Sequence, residues 1–438
     1  MGLVSVDKLL QVIRAGFEKV KDHRAANASR SAELAASLSL SDTLMSAFAM
    51  FSLKDSSLLE FDERRAKATN LQQIYGLGRV PSDTQMRTIL DPLSPEEIKP
   101  LFKAVFEQLE EGQGLAGMKY LGGYYLLSLD GTEYFASSKV HCAACLVKKT
   151  RKGEETYGHQ MLGGAIVHPD FKVVIPLAPE PIIKQDGQTK NDCERNAAKR
   201  FLAQVRGDHP DLPLIIIEDA LSANAPHLKA LKKHHFRFIL GVKEGDHPFL
   251  FEYVRTKHQA GATTTVQYRE GGLTHRFRFI NQVPLNASNQ EVLVNFLEYW
   301  EIEGDQTRYF SWITDFTLYP WNLTAIMRGG RARWKIENET FNTLKNQGYH
   351  FEHNYGHGQQ HLSVNFALLM MLAFLVDQVQ QLADPLFQAV LNKEGSRKRL
   401  WEHTRALFYT LEFACLADLF KALLYGFKVD NVTILRPA

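Results

Sequence analysis

The chain has 438 residues, and its hydrophobic share of 45% is ordinary for a globular protein that buries a large core. Its 51 basic and 49 acidic residues nearly cancel, so any indication of nucleic-acid binding has to come from local clusters. Four cysteines exclude a disulfide framework and fit a reducing cytoplasm. The longest apolar run, Phe366 to Val376, is shorter than the roughly 20 residues of a membrane span, so we expect a soluble protein with no membrane partner.

Residues 1 to about 115 have the apolar spacing and the capping residues of helices. The first twenty residues predict an amphipathic helix and not a secretory signal. Ser41 or Asp42 is expected to cap one helix, Ser82 or Asp83 a second, and a third is expected to have Pro95 near its first turn and to end at Gly112. Short helices ahead of a larger domain suit either a module that binds DNA ends or a helical support domain.

Strand patterns begin at Tyr124. The segment "YYLLSLDGTEYF" predicts strand, turn and strand, and two further strands follow before a helix capped by Asn191 or Asp192. The apolar run "LPLIIIED" is typical of a buried strand, and a helix and the strand "FRFILGVK" come after it. Strands followed by alternating helix and strand predict an α/β (α+β) fold, in which helices pack on a mixed sheet.

The chain therefore divides into five predicted regions. Residues 1–115 are the helical N-terminal region, and 116–250 are the first part of the sheet domain. Residues 251–316 alternate apolar and polar positions, which predicts a β-rich insertion. Residues 317–380 complete the sheet domain and include a helix that ends near Gly348, and residues 381–438 form C-terminal helices that could serve dimerisation.

Three carboxylates stand out by their positions. Asp130 and Asp219 each follow an apolar strand directly, and Glu337 lies on the predicted helix whose apolar face is Trp334, Ile336, Phe341 and Leu344. An oxygen-only ligand set of this kind suits Mg²⁺ or Mn²⁺, and two such ions can catalyse phosphoryl transfer. Plain alternatives remain open, because Asp130-Gly131 is also a good turn pair, Asp219 could cap a helix, and Glu337 or its neighbour Glu339 could be solvated.

The segments "SLDGTEYF", "IIIEDALSAN" and "RARWKIENETFNTLKNQGY" resemble the three catalytic blocks of insertion-sequence DDE transposases. The resemblance extends from Tyr124 to about residue 356. It implies an RNase H-like fold, as in retroviral integrases, and catalysis by two Mg²⁺ or Mn²⁺ ions held by Asp130, Asp219 and Glu337. It also implies double-stranded DNA as the partner, both transposon ends and target, a homodimer or larger assembly on paired ends, and work at the nucleoid.

The third block of that group is marked by Tyr, two residues, Arg, three residues, Glu, six residues and Lys. Arg333 and Glu337 match, whereas Gly330 takes the tyrosine position and Leu344 the lysine position, with Lys345 one step further on. The long interval between Asp219 and Glu337 resembles the β-strand insertion that this transposase group carries before its glutamate. The departures bear on contacts to DNA phosphates and on any hairpin intermediate, and they leave the three carboxylates intact.

Basic and aromatic residues surround the third block. Arg328, Arg331, Arg333, Lys335 and Lys345 are predicted to hold phosphates, although a solvated basic helix face is the alternative. Lys243 and the loop from Val147 to Lys152 are further candidates for phosphate contact. One tryptophan, of Trp300, Trp312 and Trp321, could stack on a flipped base, and Trp300 is taken as the candidate.

Two further clusters have open interpretations. Cys142-x-x-Cys145, with His141, His159 and Cys193 as further donors, could bind zinc, but ordinary thiols are the more common outcome. The histidine-rich segment with His353, His357 and His361 could border the active site or begin a helix. Rival interpretations of the whole chain are an RNase H-like nuclease that cleaves without joining, a domesticated DNA-binding protein without catalysis, and a structural zinc-binding protein.

Overall fold

A computed structural model of the chain describes residues 4–26, 38–65, 68–149, 151–183 and 193–426. The chain divides into two compact units. One, here called the helical unit, consists of Met1–Gly114 and Leu344–Ala438, and the other, the sheet unit, consists of Leu115–Thr343.

The helical unit is built from helices of very different lengths. Those described before the sheet unit are Val6–Lys19, Leu40–Leu53, Leu58–Arg65, Thr69–Gln73, Asp83–Leu90 and Pro100–Glu111. Those described after it are Leu362–Ala383, Pro385–Glu394, Arg397–Thr410 and Leu416–Tyr425, and a short helix, Asn342–Asn346, spans the junction with the sheet unit.

The capping residues of these helices are partly those expected. Ser82 caps Asp83–Leu90 in a reciprocal capping box with Gln85, which confirms one prediction. The predicted cap at Ser41 or Asp42 is wrong, because the helix begins at Leu40 and the Ser39 hydroxyl accepts the Asp42 N–H.

The third predicted helix divides at a proline. Pro95 begins a short 3₁₀ turn, Pro95–Glu97, and the α-helix starts at Pro100. Pro100 lacks the N–H that a continuing helix would need, and it is well suited to the first turn of a new one. Gly112 ends this helix, as predicted.

The helix Leu362–Ala383 is long and apolar enough to cross a membrane, but 94% of its most apolar window is buried inside the structure. It carries Asp377, whose carboxylate lies 2.5 Å from the Lys54 ammonium, with side-chain exposures of 6% and 0%. The Tyr349 hydroxyl donates to the same carboxylate at 2.5 Å, and the Trp401 ring lies 3.7 Å from the ammonium. Because both groups are shielded from water, each charge is stabilised mainly by the other.

We expect Asp377→Ala to destabilise the protein by about 3–5 kcal/mol, because it leaves the Lys54 cation buried without its counter-charge. The neutral double variant Lys54→Met, Asp377→Asn should recover a large part of that loss. Urea unfolding of both variants and the parent measures the effect. A single variant that unfolds at the parental midpoint would show that the pair contributes nothing.

Within its described residues, the sheet unit has eleven strands, all in one sheet. They are β1 (Tyr125–Ser137), β2 (Leu146–Lys149), β3 (Glu155–Val167), β4 (Ile175–Pro176), β5 (Glu180–Ile182), β6 (Leu214–Glu218), β7 (Arg237–Gly241), β8 (Thr264–Glu270), β9 (Leu273–Pro284), β10 (Leu293–Glu303) and β11 (Gln306–Thr314). The order is β2-β3-β1-β6-β7-β11-β10-β9-β8, with β4 and β5 paired to β3. Flanking helices are Glu194–Asp208, Ala225–Lys233, Pro248–Gln259 and Leu323–Arg331.

Strand directions identify the fold. β1, β6 and β7 are parallel neighbours, and β3 runs antiparallel on the other side of β1. A mixed sheet of this order with helices packed on it confirms the predicted α/β class and is the RNase H-like arrangement. β11 pairs antiparallel with β7, so the strands of the insertion extend the same sheet.

Two local predictions differ from the structure, and a third falls on residues outside the described ranges. Asp130-Gly131 is no turn, because β1 continues through it and the two residues pair with Gly163 and Leu162 of β3. The region predicted as a β-rich insertion begins with the helix Pro248–Gln259, whose buried Leu250 and Val254 are four residues apart. The predicted caps Asn191 and Asp192 lie outside the described residues, and the helix that follows begins at Glu194.

Candidate active site

The sheet register brings Asp130 and Asp219 level with each other. Ser128 on β1 pairs in parallel with Ile217 on β6. Asp130 lies two residues further along β1, and Asp219 lies two residues beyond Ile217, just past the end of β6. Parallel neighbours are about 4.8 Å apart, so the two carboxylates emerge side by side. Both line a cavity of about 810 Å³.

Glu337 reaches the same place from a different kind of element. It lies in a π-helical segment, Ile336–Phe341, where a continuous helix from about residue 329 to 348 was predicted. The Ser128 hydroxyl donates to the Arg333 carbonyl at 3.0 Å and so ties the start of this segment to β1. π-Helical turns are rare and frequently occur at functional sites. Trp334, predicted on the apolar face, is instead 51% exposed.

The carboxyl groups of Asp130 and Glu337 lie close enough to interact directly, because the same Arg333 nitrogen approaches both and Glu337 contributes to the shifted pKa of Asp130. Burial, followed by the hydrogen bond and the charge of Glu337, raises the pKa of Asp130 to about 7, while Arg333 and the Gly131 N–H act in the opposite direction. Two carboxyls in this contact share a proton or need a nearby cation. A cation bound between the two carboxyls would relieve this electrostatic repulsion.

Arg333 supplies part of that positive charge. Its Nη1 atom lies 2.7 Å from Glu337 Oε1 and 3.8 Å from Asp130 Oδ2, and its side chain is only 14% exposed. The residue predicted to bind phosphate thus has two of the predicted metal ligands as its acidic neighbours.

Other predicted phosphate ligands also have partners within the sheet unit. Arg331 donates to Glu301 on β10 at 2.5 Å, Arg328 pairs with Asp170, and the Lys335 ammonium donates to the Phe171 carbonyl at 2.6 Å. Their charges are at least partly committed to internal contacts. The predicted basic face is therefore less available to DNA than its sequence suggests.

Lys243 and Lys345 differ in their surroundings. Lys243 is exposed at the end of β7 and lines a second cavity of about 490 Å³. Asp219, Arg331, Arg333 and Trp334 line the same cavity. Lys345 belongs to the helical unit and pairs with Glu352 at 2.8 Å.

The tryptophans divide by exposure. Trp300, the predicted base-stacking residue, is half-buried on β10 between Tyr309 and Arg278. Trp312 is 5% exposed and belongs to the core, whereas Trp321 is 77% exposed and stacks on Tyr319 with ring centroids 4.3 Å apart. A stacked base needs an exposed ring face, so Trp321 and Trp334 offer more than Trp300 does.

Glu194 is an acidic residue at the site that the sequence reasoning missed. It lines the same cavity as Asp130 and Asp219, and burial, followed by the charges of Asp219 and Glu218, raises its pKa. A Cβ on Gly131 would lie 2.2 Å from its Oε1 atom, so this carboxyl occupies space that only glycine leaves open. No sequence signal marks it, because a glutamate in a helix's first turn is ordinary.

We expect Mn²⁺ to bind more tightly as pH rises from about 6 to about 8, because Asp130, with its pKa raised to about 7, must lose its proton to become a ligand. Below that pKa the carboxyl is neutral and protons compete with the metal; above it the anion is present. Isothermal titration in buffers of different ionisation enthalpy should detect the released proton.

Asp130→Asn is the control for this titration, and it should bind weakly with little dependence on pH. Equal Mn²⁺ affinity of the parent at both pH values, with no proton release, would contradict the assigned origin of the shift.

Comparison with known families gives one match. A family model described as a transposase DDE domain matches residues 148–375, just over half of the chain. The matched range contains Asp219 and Glu337 and begins after Asp130. The comparison with curated proteins gives no match.

Proposed function

This chain belongs to the family of transposases with a DDE domain, and we propose that it cleaves phosphodiester bonds at transposon ends and joins the freed 3′-hydroxyl to target DNA. The observation that carries the proposal is the contact between the Asp130 and Glu337 carboxyls beside Asp219. Its expected place of work is the nucleoid in the cytoplasm, and its expected active form is a homodimer on paired DNA ends.

The donor set fits two divalent cations. Asp130, Asp219 and Glu337 offer only hard carboxylate oxygens, which Mg²⁺ and Mn²⁺ prefer. Asp130 would contact both ions, and Asp219 and Glu337 would hold one each. When bound, such a pair activates the attacking oxygen and stabilises the leaving oxygen in an in-line displacement.

The protein's own part is to hold the carboxylates in place. The Gly131 N–H donates to Asp130 Oδ1 at 2.9 Å, and the Leu221 N–H donates to Asp219 Oδ1 at 3.0 Å. These backbone contacts hold the Asp130 side chain within β1 and the Asp219 side chain just past the end of β6. Preorganisation of this kind removes the cost of ordering ligands during the reaction.

Arg333 has a second expected role in this scheme. A cation that binds between Asp130 and Glu337 would replace the charge that Arg333 now supplies at 2.7 Å from Glu337. The guanidinium would then be released toward a DNA phosphate, whose geometry it matches with two parallel hydrogen bonds. Lys243, Arg331, Lys345 and an exposed tryptophan remain proposed DNA contacts.

We expect Asp130→Ala, Asp219→Ala and Glu337→Ala each to lower Mg²⁺-dependent strand cleavage by about 10³-fold or more, which corresponds to at least about 4 kcal/mol of transition-state stabilisation. DNA binding should survive, because phosphate contacts supply most of the affinity. Cleavage of a labelled duplex carrying the element's end and a mobility-shift assay measure the two properties.

Glu339→Ala is the matched control, since it removes a carboxylate two residues from Glu337 and should leave cleavage unchanged. If Glu339→Ala inactivates and Glu337→Ala does not, the glutamate has been assigned to the wrong residue.

A transposase and a simple nuclease differ in the joining step. Supplied with a pre-cut transposon end that carries a 3′-hydroxyl, the chain should insert it into a target plasmid, whereas an end terminated by a 3′-deoxynucleotide should give no product. Sequencing of the junctions detects joining. Efficient cleavage together with no joining of the pre-cut end would favour a nuclease without strand transfer.

A further inference from the structure

A second cluster of possible metal ligands lies on the sheet unit, apart from the three carboxylates. It consists of Cys142 and Cys145, in the turn before β2, and His159 on β3. Leu146 pairs with Gly158, so the sheet register places Cys145 beside His159. The proposed transposase chemistry does not use these side chains.

The distances within the cluster are those of a tetrahedral zinc site. Zn–S bonds of about 2.3 Å and Zn–N bonds of about 2.0 Å, at tetrahedral angles, put two sulfurs about 3.8 Å apart and each sulfur about 3.5 Å from the nitrogen. The two Sγ atoms are 3.8 Å apart, and they lie 3.5 and 3.4 Å from His159 Nε2. All three separations agree with a shared ion.

Hydrogen bonding between ordinary thiols and the imidazole explains this arrangement less well. A ring nitrogen has one in-plane bonding direction, used either as a donor or as an acceptor, so it makes one good hydrogen bond. Here two sulfurs converge on the same nitrogen at nearly equal distances. Disulfide formation does not explain the pair either, because bonded sulfurs are about 2.05 Å apart.

The surroundings of the cluster also suit a structural metal. Cys145 and His159 are each 1% exposed, and Cys142 is 9% exposed. The Cys142 N–H donates to Cys145 Sγ at 3.4 Å, a backbone contact that stabilises a thiolate. The Tyr134 ring stacks on the His159 ring at 6.0 Å and holds the imidazole plane.

We propose that Cys142, Cys145 and His159 bind a structural Zn²⁺ ion, completed by one further nitrogen, oxygen or sulfur donor. His141 and Cys193, the other donors suggested by the sequence, are not members of this group: His141 stacks on Tyr157, and Cys193 is exposed at the start of a helix. The ion would tie the turn before β2 to β3, four residues from Gly163, which pairs with Asp130.

The test measures zinc in the full chain, purified without a histidine tag from zinc-supplemented medium and dialysed against Mg²⁺ buffer. Mass spectrometry of the metal content should give about one zinc per chain for the parent, as a closed structural site requires. Cys142→Ser, Cys145→Ser and His159→Ala should each lose it. Cys193→Ser, Cys415→Ser and Asp130→Ala are matched controls and should keep it.

Two outcomes would overturn the proposal: a parent chain with only trace zinc, or zinc that the cysteine and histidine variants retain. If those variants fail to fold, the parent alone decides. Its X-ray absorption spectrum should show two sulfur ligands, and its Co²⁺ form should show thiolate-to-metal charge transfer. A shell of oxygen and nitrogen alone would overturn the assignment. Because Asp130→Ala tests the carboxylate site separately, failure of the zinc site and failure of the transposase proposal are distinguishable.

Discussion

The sheet unit holds several acidic groups close together against their mutual repulsion. The Asp130 and Glu337 carboxyls interact directly beside Arg333, and Glu194 lies in the same cavity as Asp130 and Asp219. Such a cluster costs free energy in the absence of a cation, and it persists because the sheet register and the π-helical turn leave the side chains few alternatives. A divalent ion bound by these carboxylates, as proposed above, would recover that free energy and would couple metal binding to the local fold.

The basic residues near the cluster respond to the same constraint. Arg333 pairs with Glu337, and Arg331 pairs with Glu301. These two residues of the third block therefore compensate acidic charge within the sheet unit. DNA would have to compete with these partners or replace them. The packing around Gly330 explains why a glycine stands there. A Cβ at this position would lie 2.3 Å from Trp312 Nε1, so a tyrosine could not fit. The departure from the family pattern at this residue therefore has a steric cause, since the Trp312 ring fills the space.

The sequence predicts those features of the fold that follow from local patterning. The apolar run before Asp219 specifies a buried strand, and the order of strands and helices specifies a mixed sheet, because each depends on a periodicity visible in the chain. The turn predicted at Asp130-Gly131 is wrong, because turn propensity is a local property. The strand conformation of these residues instead depends on their tertiary pairing with β3.

Other features of the site are invisible in the sequence for similar reasons. The π-helical turn at Glu337 depends on packing against the sheet, and Glu194 reaches the cavity only because Gly131 leaves room for it. The partners of Arg328 and Arg331 lie far away along the chain, at Asp170 and Glu301, so no window of sequence shows that these cations are paired. The Cys-x-x-Cys segment forms a possible metal site only together with His159, which the β2–β3 register places beside it.

The most direct test of the central claim is an anomalous difference map from crystals of the chain bound to a cleaved transposon end in Mn²⁺. The account predicts two peaks roughly 4 Å apart, a spacing typical of two-metal sites. One peak should lie between Asp130 and Asp219 and the other between Asp130 and Glu337. Peaks at other residues, or an ordered DNA end with no manganese at these three carboxylates, would contradict it.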